Sequence, residues 1–326
     1  MITSIALYEG VSNDPHYNLA VEQHLLETVK EGQCILYLWQ NQNTVVIGRN
    51  QNPWKECRTT LLAEEGGHLA RRLSGGGAVF HDLGNLNFTF LVPQEDYSLD
   101  RQFTVIQEAV RSLGIPAEKS GRNDVLSEGR KFSGNAFFKH NGKAYHHGTL
   151  LVDVDMAKLS RYLNPSKAKL QSKGVDSVRS RVVNLKELNP ELTIDSLKAA
   201  LLCAFKEVYG CELRILKEAD LDMAEILRIA ERNRSWDWNY GAKMPFSVEF
   251  DERFPWGGVQ IQLDVDNGVI RQAKVYSDSM DWSFVAVLEK LLQDCRFDHV
   301  QLRERLAGKL GEIEEDILGL LLSERD

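Results

Sequence analysis

Two clusters in the 326-residue chain combine residue types that handle negative charge. The first is Arg71-Arg72-Leu73-Ser74-Gly75-Gly76-Gly77-Ala78-Val79-Phe80-His81-Asp82, with strand-like residues on both sides of three consecutive glycines. Glycine reaches backbone conformations closed to other residues and lets a ligand approach the main chain. Successive free amides in such a turn form a concave anion site, and adjacent arginines add charge and planar donors. The second cluster is Gly129-Arg130-Lys131-Phe132-Ser133-Gly134, with His146-His147-Gly148-Thr149 downstream. A glycine-rich cradle and a lysine bracketed by glycines suit activation of a carboxylate by a nucleotide. Attack of a carboxylate on the α-phosphate of ATP builds charge on the phosphoryl oxygens, which preorganised amides and one mobile ammonium stabilise. No side-chain nucleophile is needed.

Each residue also has a plainer reading. A bare Gly-Gly-Gly with two arginines describes a solvated hairpin turn equally well, and Lys131 is one of 39 Lys and Arg residues, most of which belong on a surface. The glycines are not a Walker A loop, because no Gly-Lys-Ser/Thr follows them, and they are not a GxGxxG opening a helix. Adjacent strand residues diverge, so His146 and His147 face opposite ways and a metal site from the pair is disfavoured. His147 is the one assigned to the site. Cys57 falls on an expected helix with no adjacent base, as a buried inert thiol does.

Composition narrows the class. Apolar content of 43% and charged content of 26% are those of a soluble globular protein of about two domains. A net charge of −8 argues against a general nucleic-acid binder, whose affinity comes from neutralising phosphates. No window approaches a membrane helix, and the first residues lack a signal peptide's basic and apolar regions. The five cysteines are odd in number, widely spaced and without a CxxC pair, which fits reduced thiols in a cytoplasmic enzyme.

The elements that must position these groups read as follows. Residues 3–8 form a strand, and Asp14-Pro15 caps a helix to about Lys30 with Val21, Leu25 and Val29 on one stripe. Cys34–Trp39 and Thr44–Ile47 read as a buried strand pair, and Asn52-Pro53 starts a helix to about Glu65. Leu86–Val92 alternates as a half-buried strand, and Phe103, Ile106, Val110 and Leu113 mark an amphipathic helix stopped by Gly114. Asn141-Gly142 joins two strands in a hairpin. Residues 158–181 are basic and lack apolar periodicity; they read as a solvated face or a loop that closes over the adenylate, with 164–181 mobile when no ligand is bound. From 247 to 326 a small ββ-ααα domain follows. The irregular order of strands and helices predicts an α+β fold.

The two clusters, with Arg122-Asn123-Asp124, Tyr162-Leu-Asn-Pro165, Ser177-Val-Arg-Ser-Arg181 and Trp256-Gly-Gly258, resemble the motifs of lipoate–protein ligase A across nearly the whole chain. Thr44-Val-Val-Ile-Gly-Arg49 with Asn52-Pro-Trp-Lys-Glu-Cys57 resembles the family as well. The resemblance implies a mixed-sheet biotin/lipoate ligase catalytic domain at 1–246 and a small α+β C-terminal domain at 247–326. It implies that lipoate and ATP give lipoyl-AMP and pyrophosphate with Mg²⁺. The lipoyl group then passes to a lysine of a 2-oxoacid dehydrogenase E2 subunit or the glycine-cleavage H protein, with no nucleic acid or membrane partner. By position, Arg72 and Gly77, Ala78, Val79 and Phe80 match the ATP-contacting stretch. Lys131 matches the catalytic lysine that touches lipoate carboxylate and phosphate. Arg72, Ser74, His81, His147 and Gly148 match the lipoate site, and Asn123 and Asp124 the polar or Mg²⁺ partners. The link from 124 to 131 is shorter than in some members and trims a hairpin tip. The alternatives are an octanoyl or lipoyl transferase or amidotransferase of the same fold, which would not consume ATP, and a non-catalytic adenylate- or acceptor-binding protein.

Overall fold

Strands β1 (Ser4–Glu9) and β2 (Gln33–Trp39) are the parallel start of a mixed sheet, with helix α1 (Pro15–Thr28) crossing between them. Asp14 caps that helix by accepting from the His16 amide at 2.9 Å, ahead of a first-turn proline. A computed structural model describes residues 1–121, 123–164, 182–241, 244 and 246–323. Arg122 and the basic stretch 165–181 lie outside the described residues, and with them most of the expected closing loop.

The main sheet is eight-stranded among the described residues, in the order β11-β1-β2-β6-β10-β9-β8-β7. The remaining strands are β6 (Asn85–Pro93), β7 (Glu118–Ser120), β8 (Asp124–Ser127), β9 (Arg130–His140), β10 (Lys143–Leu151) and β11 (Leu213–Ile215). One face carries Cys34, Leu36 and Leu38 of β2 and Leu86, Phe88, Phe90 and Val92 of β6. They pack on helix Ile194–Tyr209 and on Leu99–Ser112, where Phe103, Ile106 and Val110 recur at helical spacing. The other face carries Tyr37, Trp39, Thr89 and His147 and meets α1, whose Asn18 and Glu22 bond to Tyr37 and Thr89. With both faces covered, every residue of β6 is buried, which corrects the half-buried expectation. The alternation at 86–92 is real, but it separates an apolar face from a buried polar one.

Cys34–Trp39 and Thr44–Ile47 are both strands, yet they are not partners. The second, β3 (Thr44–Ile47), is the centre of a small sheet between β4 (His68–Arg71) and β5 (Val79–His81). Each run satisfies its backbone elsewhere, so sequence proximity misassigned the pairing. The expected helix from Pro53 to Glu65 is two short pieces, α2 (Pro53–Glu56) and α3 (Thr59–Glu64). Between them Cys57 forms an antiparallel bridge with Leu163; burial pushes its thiol up to about 12, so it is inert as expected although not helical.

The chain resolves into two compact units, the first being the described parts of Met1–Val46, Trp54–Arg71 and Ala78–Asn239. The second unites the described part of Tyr240–Asp326 with two short excursions, Ile47–Pro53 and Arg72–Gly77. Its sheet β12 (Val248–Phe254), β13 (Gly257–Asp266), β14 (Val269–Ser277) and β15 (Cys295–Arg296) shares a core with helices Ser283–Leu292, His299–Leu306 and Glu314–Leu322. The expected ββ-ααα order missed β12 and β15. Only Phe250 is buried in β12, whose neighbours Glu249, Asp251, Glu252 and Arg253 gave no strand-like alternation.

Candidate functional site

Lys131 lies at the start of β9, one residue past a tight turn in which Glu128 and Gly129 have φ of 50° and 76°. That two-residue connection pairs Ser127 with Arg130 at the tip of the β8–β9 hairpin. The Lys131 ammonium is 2.6 Å from Asp124 Oδ1, both side chains being about one-third exposed at 34% and 37%. A Cβ on Gly134 would lie 2.9 Å from Nζ and 3.0 Å from Cε, so the end of the lysine lies against this glycine. The Lys131 carbonyl accepts from the Val183 amide at 2.9 Å, so the chain emerging after residue 181 is pinned at this lysine.

Asn123 serves the strands around that lysine. Its Nδ2 donates to the Asn135 carbonyl at 2.9 Å, while the Asn135 amide and Nδ2 donate back to the Asn123 carbonyl at 2.9 and 3.0 Å. This brace holds Asp124 in place for Lys131. Among the described residues no group of three His, Cys, Asp or Glu converges on one point. Mg²⁺ commonly takes one or two carboxylates and completes its shell with water and phosphate oxygens. The Asp124 carboxylate and the Asn123 side-chain oxygen both fit that donor set, while the Asn123 amide nitrogen donates to Asn135.

Strand β10 sends its two histidines to opposite faces, as expected. His146 is fully buried against Phe88, Phe103 and Phe137, bonded to Asn135 Oδ1 at 2.8 Å, and burial holds it well below the usual histidine range. His147 Nδ1 lies 2.8 Å from Oε1 of Glu22, which also accepts from Thr89 Oγ1 at 2.7 Å. Trp39 Nε1 donates to that Thr89 hydroxyl at 3.1 Å. His81 on β5 belongs to a second chain: Asn41 Nδ2 to His81 Nδ1 at 3.2 Å, Asn18 Nδ2 to Asn41 Oδ1 at 2.9 Å, Tyr37 hydroxyl to Asn18 at 3.2 Å. Asn18 and Glu22 are one turn apart on α1, so a single helix face orients both candidate histidines. At Gly148 a Cβ would come within 2.6 Å of Asn135 Oδ1 and 2.7 Å of Phe88 Cζ, so close packing alone demands glycine there.

The glycine turn is built in the second unit. Buried Arg72 curls into its own turn: Nε donates to Ser74 Oγ at 3.1 Å, and Nη2 to the carbonyls of Gly75 and Gly77, both at 2.7 Å. The Gly76 amide donates to the Ser279 carbonyl at 3.3 Å, and a Cβ on Gly75 would stand 2.2 Å from that oxygen. The Arg49 amide donates to the Ser74 carbonyl at 2.8 Å. Gly76 has φ of 86°, whereas Gly77 faces open space. Beyond the turn Ala78 and Val79 are half-buried, and the Phe80 ring is buried beside Tyr162 at 5.5 Å, so main chain rather than side chain is on offer at Phe80. The Arg71 guanidinium donates to the carbonyls of Trp238 and Asn239. Alternation along a strand sends neighbouring arginines opposite ways.

Residues 14–206 match the lipoyl protein ligase A/B catalytic domain, and residues 243–320 match the bacterial lipoate protein ligase C-terminus. The chain belongs to the lipoate–protein ligase family. P. falciparum LipL1, solved in complex with lipoate, is 28% identical with a TM-score of 0.85, over 99% of this chain and 100% of its own. A bipartite lipoate protein ligase from Thermoplasma acidophilum, described with its E2 lipoyl domain, is 27% identical (TM-score 0.65, 76% of this chain, 100% of its own). A lipoate-protein ligase A bound with ATP is 26% identical (TM-score 0.63, 74% of this chain, 99% of its own).

Within this lipoate–protein ligase chain the structure adds residues that sequence reading passed over: Asn18, Glu22, Trp39, Asn41 and Thr89. A usable signal existed in α1, where Asn18 and Glu22 fall four apart within a helix otherwise rich in Leu, Ala and Val.

Proposed function

We propose that the chain is an ATP-dependent lipoate–protein ligase with a catalytic domain at 1–246 and an accessory domain at 247–326, working in the cytoplasm. The observation that carries this reading is Lys131, a lysine aimed by Asp124 and laid across Gly134. The lipoate and ATP complexes of the similar proteins support it, and so does the pairing of one of them with an E2 lipoyl domain. A lipoate carboxylate oxygen attacks the α-phosphorus of ATP, the bond to the β-phosphate oxygen breaks, and pyrophosphate leaves lipoyl-AMP. Lys131 approaches both carboxylate and phosphate and stabilises charge that grows in the transition state. Arg72 shapes the turn, and the backbone from Gly77 to Phe80 offers amides to the nucleotide. Ser74, His81, His147 and Gly148, together with Arg72, line the lipoate site. Asp124, braced by Asn123, would hold Mg²⁺, which neutralises phosphate charge when bound. The amine of an acceptor lysine then attacks the acyl carbonyl, AMP leaves, and an amide remains. Acceptors are lipoyl domains of 2-oxoacid dehydrogenase E2 subunits and the glycine-cleavage H protein.

Lipoate-dependent exchange of labelled pyrophosphate into ATP tests the reading, and exchange is expected. No exchange, with acyl transfer from an acyl carrier protein instead, would replace it with a transferase of the same fold.

A further inference from the structure

Strand β4 has four residues, lies at the edge of its small sheet, and leads directly into the glycine turn. A short edge strand specifies its own register poorly, and a slip of one residue exchanges the faces of Arg71 and Arg72. Arg72 is held on the inner side, where its amide donates to the Ile47 carbonyl at 3.0 Å. Arg71 is held on the outer side by two consecutive residues of the short helix Trp236–Tyr240. Asn239 Oδ1 accepts from the Arg71 amide at 3.0 Å, and Trp238 Nε1 donates to the Arg71 carbonyl at 2.9 Å. The side chain returns the contact: Arg71 Nε donates to the Trp238 carbonyl at 2.9 Å and Nη2 to the Asn239 carbonyl at 2.5 Å. Arg232 lies over the Trp238 ring at 4.3 Å, and Asn239 Nδ2 donates to the carbonyls of Asn233 and Ser235 at 2.7 and 3.1 Å. Two side chains thus do for one strand residue what a neighbouring strand would do, and the guanidinium satisfies carbonyls at a helix end that lack helical partners.

We propose that Arg71, Trp238 and Asn239 form a positioning clamp that fixes the register of β4, and through the covalent link to Arg72 the shape of the glycine turn. In this proposal the clamp positions the turn rather than binding substrate. Its effect on catalysis rests on the ligase reading, because the turn is the anion cradle only under that reading. Arg72 bonds to Ser74, Gly75 and Gly77 from a backbone position that begins one residue after the clamp.

Two conservative variants test it. Trp238→Phe keeps a ring under Arg232 and removes the indole donor; Arg71→Lys keeps the charge and loses the fork. Amide hydrogen exchange over residues 72–77 should quicken about tenfold in each, the loss expected for one buried hydrogen bond, with β9 and β10 unchanged. Lipoate-dependent pyrophosphate exchange should show KM for ATP raised more than KM for lipoate. Unchanged exchange at 72–77 would overturn the proposal, and so would a uniform loss of protection across β6, β9 and β10, which marks a merely structural role. If the unaltered protein shows no pyrophosphate exchange, the ligase reading fails, while amide exchange still decides the clamp.

Discussion

On the face of the main sheet, Lys131 and His147 are aimed by other side chains: Asp124 holds one and Glu22 the other. In the glycine turn the groups are main chain, and they are held by main chain, by Arg72 and by the Ser279 carbonyl. The first arrangement keeps its geometry because a wide, doubly covered sheet sets each strand. The second depends on residues more than 200 positions away in sequence and on glycines that admit close approach. A side-chain site fails when one atom group is lost. A backbone site fails when a single carbon is added where another stretch of chain lies close, as at Gly75.

Removing the ammonium gives the largest expected effect. Lys131→Ala should lower adenylation by roughly 10²–10³-fold, the ~3–4 kcal/mol of one lost electrostatic donor, with circular dichroism unchanged. Lys131→Arg should not restore it, because a planar fork does not replace a compact ammonium. Normal pyrophosphate exchange by the alanine variant would take Lys131 out of the mechanism.

The backbone region is broken by taking away what supports it. A folded chain ending near Gly241 lacks Ser279, so it should lose adenylation yet still transfer from supplied lipoyl-AMP. Separate assays of the half-reactions check this, and adenylation at the full-length rate would show that the turn needs no such support. A subtler version compares neighbouring glycines. Gly75→Ala forces a carbon to 2.2 Å from the Ser279 oxygen, whereas Gly77→Ala meets open space. Displacement of the turn by about 1 Å should cost Gly75→Ala up to ~10²-fold in adenylation. Equal rates for the two variants would contradict that difference.

The smallest effect separates the regions by acid. His146 is buried uncharged and held well below its ordinary range, and His16 is pushed by burial down to about 4. As pH falls below about 6.5 the unfolded chain takes protons that the folded chain refuses, so stability is lost on acidification, by at most ~1.4 kcal/mol per pH unit for each histidine. For His16 the loss levels off near its folded value. The segments Ile47–Pro53 and Arg72–Gly77 contain no histidine. The thermal midpoint should therefore fall between about pH 7 and pH 5, and His146→Gln should flatten that slope. A flat profile in the unaltered protein would remove the buried histidines from the account.

Local signals determined much of this protein. The Asp14-Pro15 cap, the Phe103–Leu113 stripe, the Asn141-Gly142 hairpin and the opposite facing of His146 and His147 depend on steric rules spanning a few residues. The motifs around Gly75–Gly77 and Lys131 suggested the proposed chemistry because glycine and lysine have few alternatives in such contexts. Tertiary structure alone decided that Thr44–Ile47 pairs with β4 and β5, that 53–65 breaks around Cys57, and that the Arg71 guanidinium donates to the carbonyls of Trp238 and Asn239. It also decided that Glu22 is the buried partner of His147 and that Asn18 reaches His81 through Asn41. A buried polar atom must find its partner wherever the fold brings one, and Glu22 finds His147 across 125 residues of sequence. No spacing rule reaches that far.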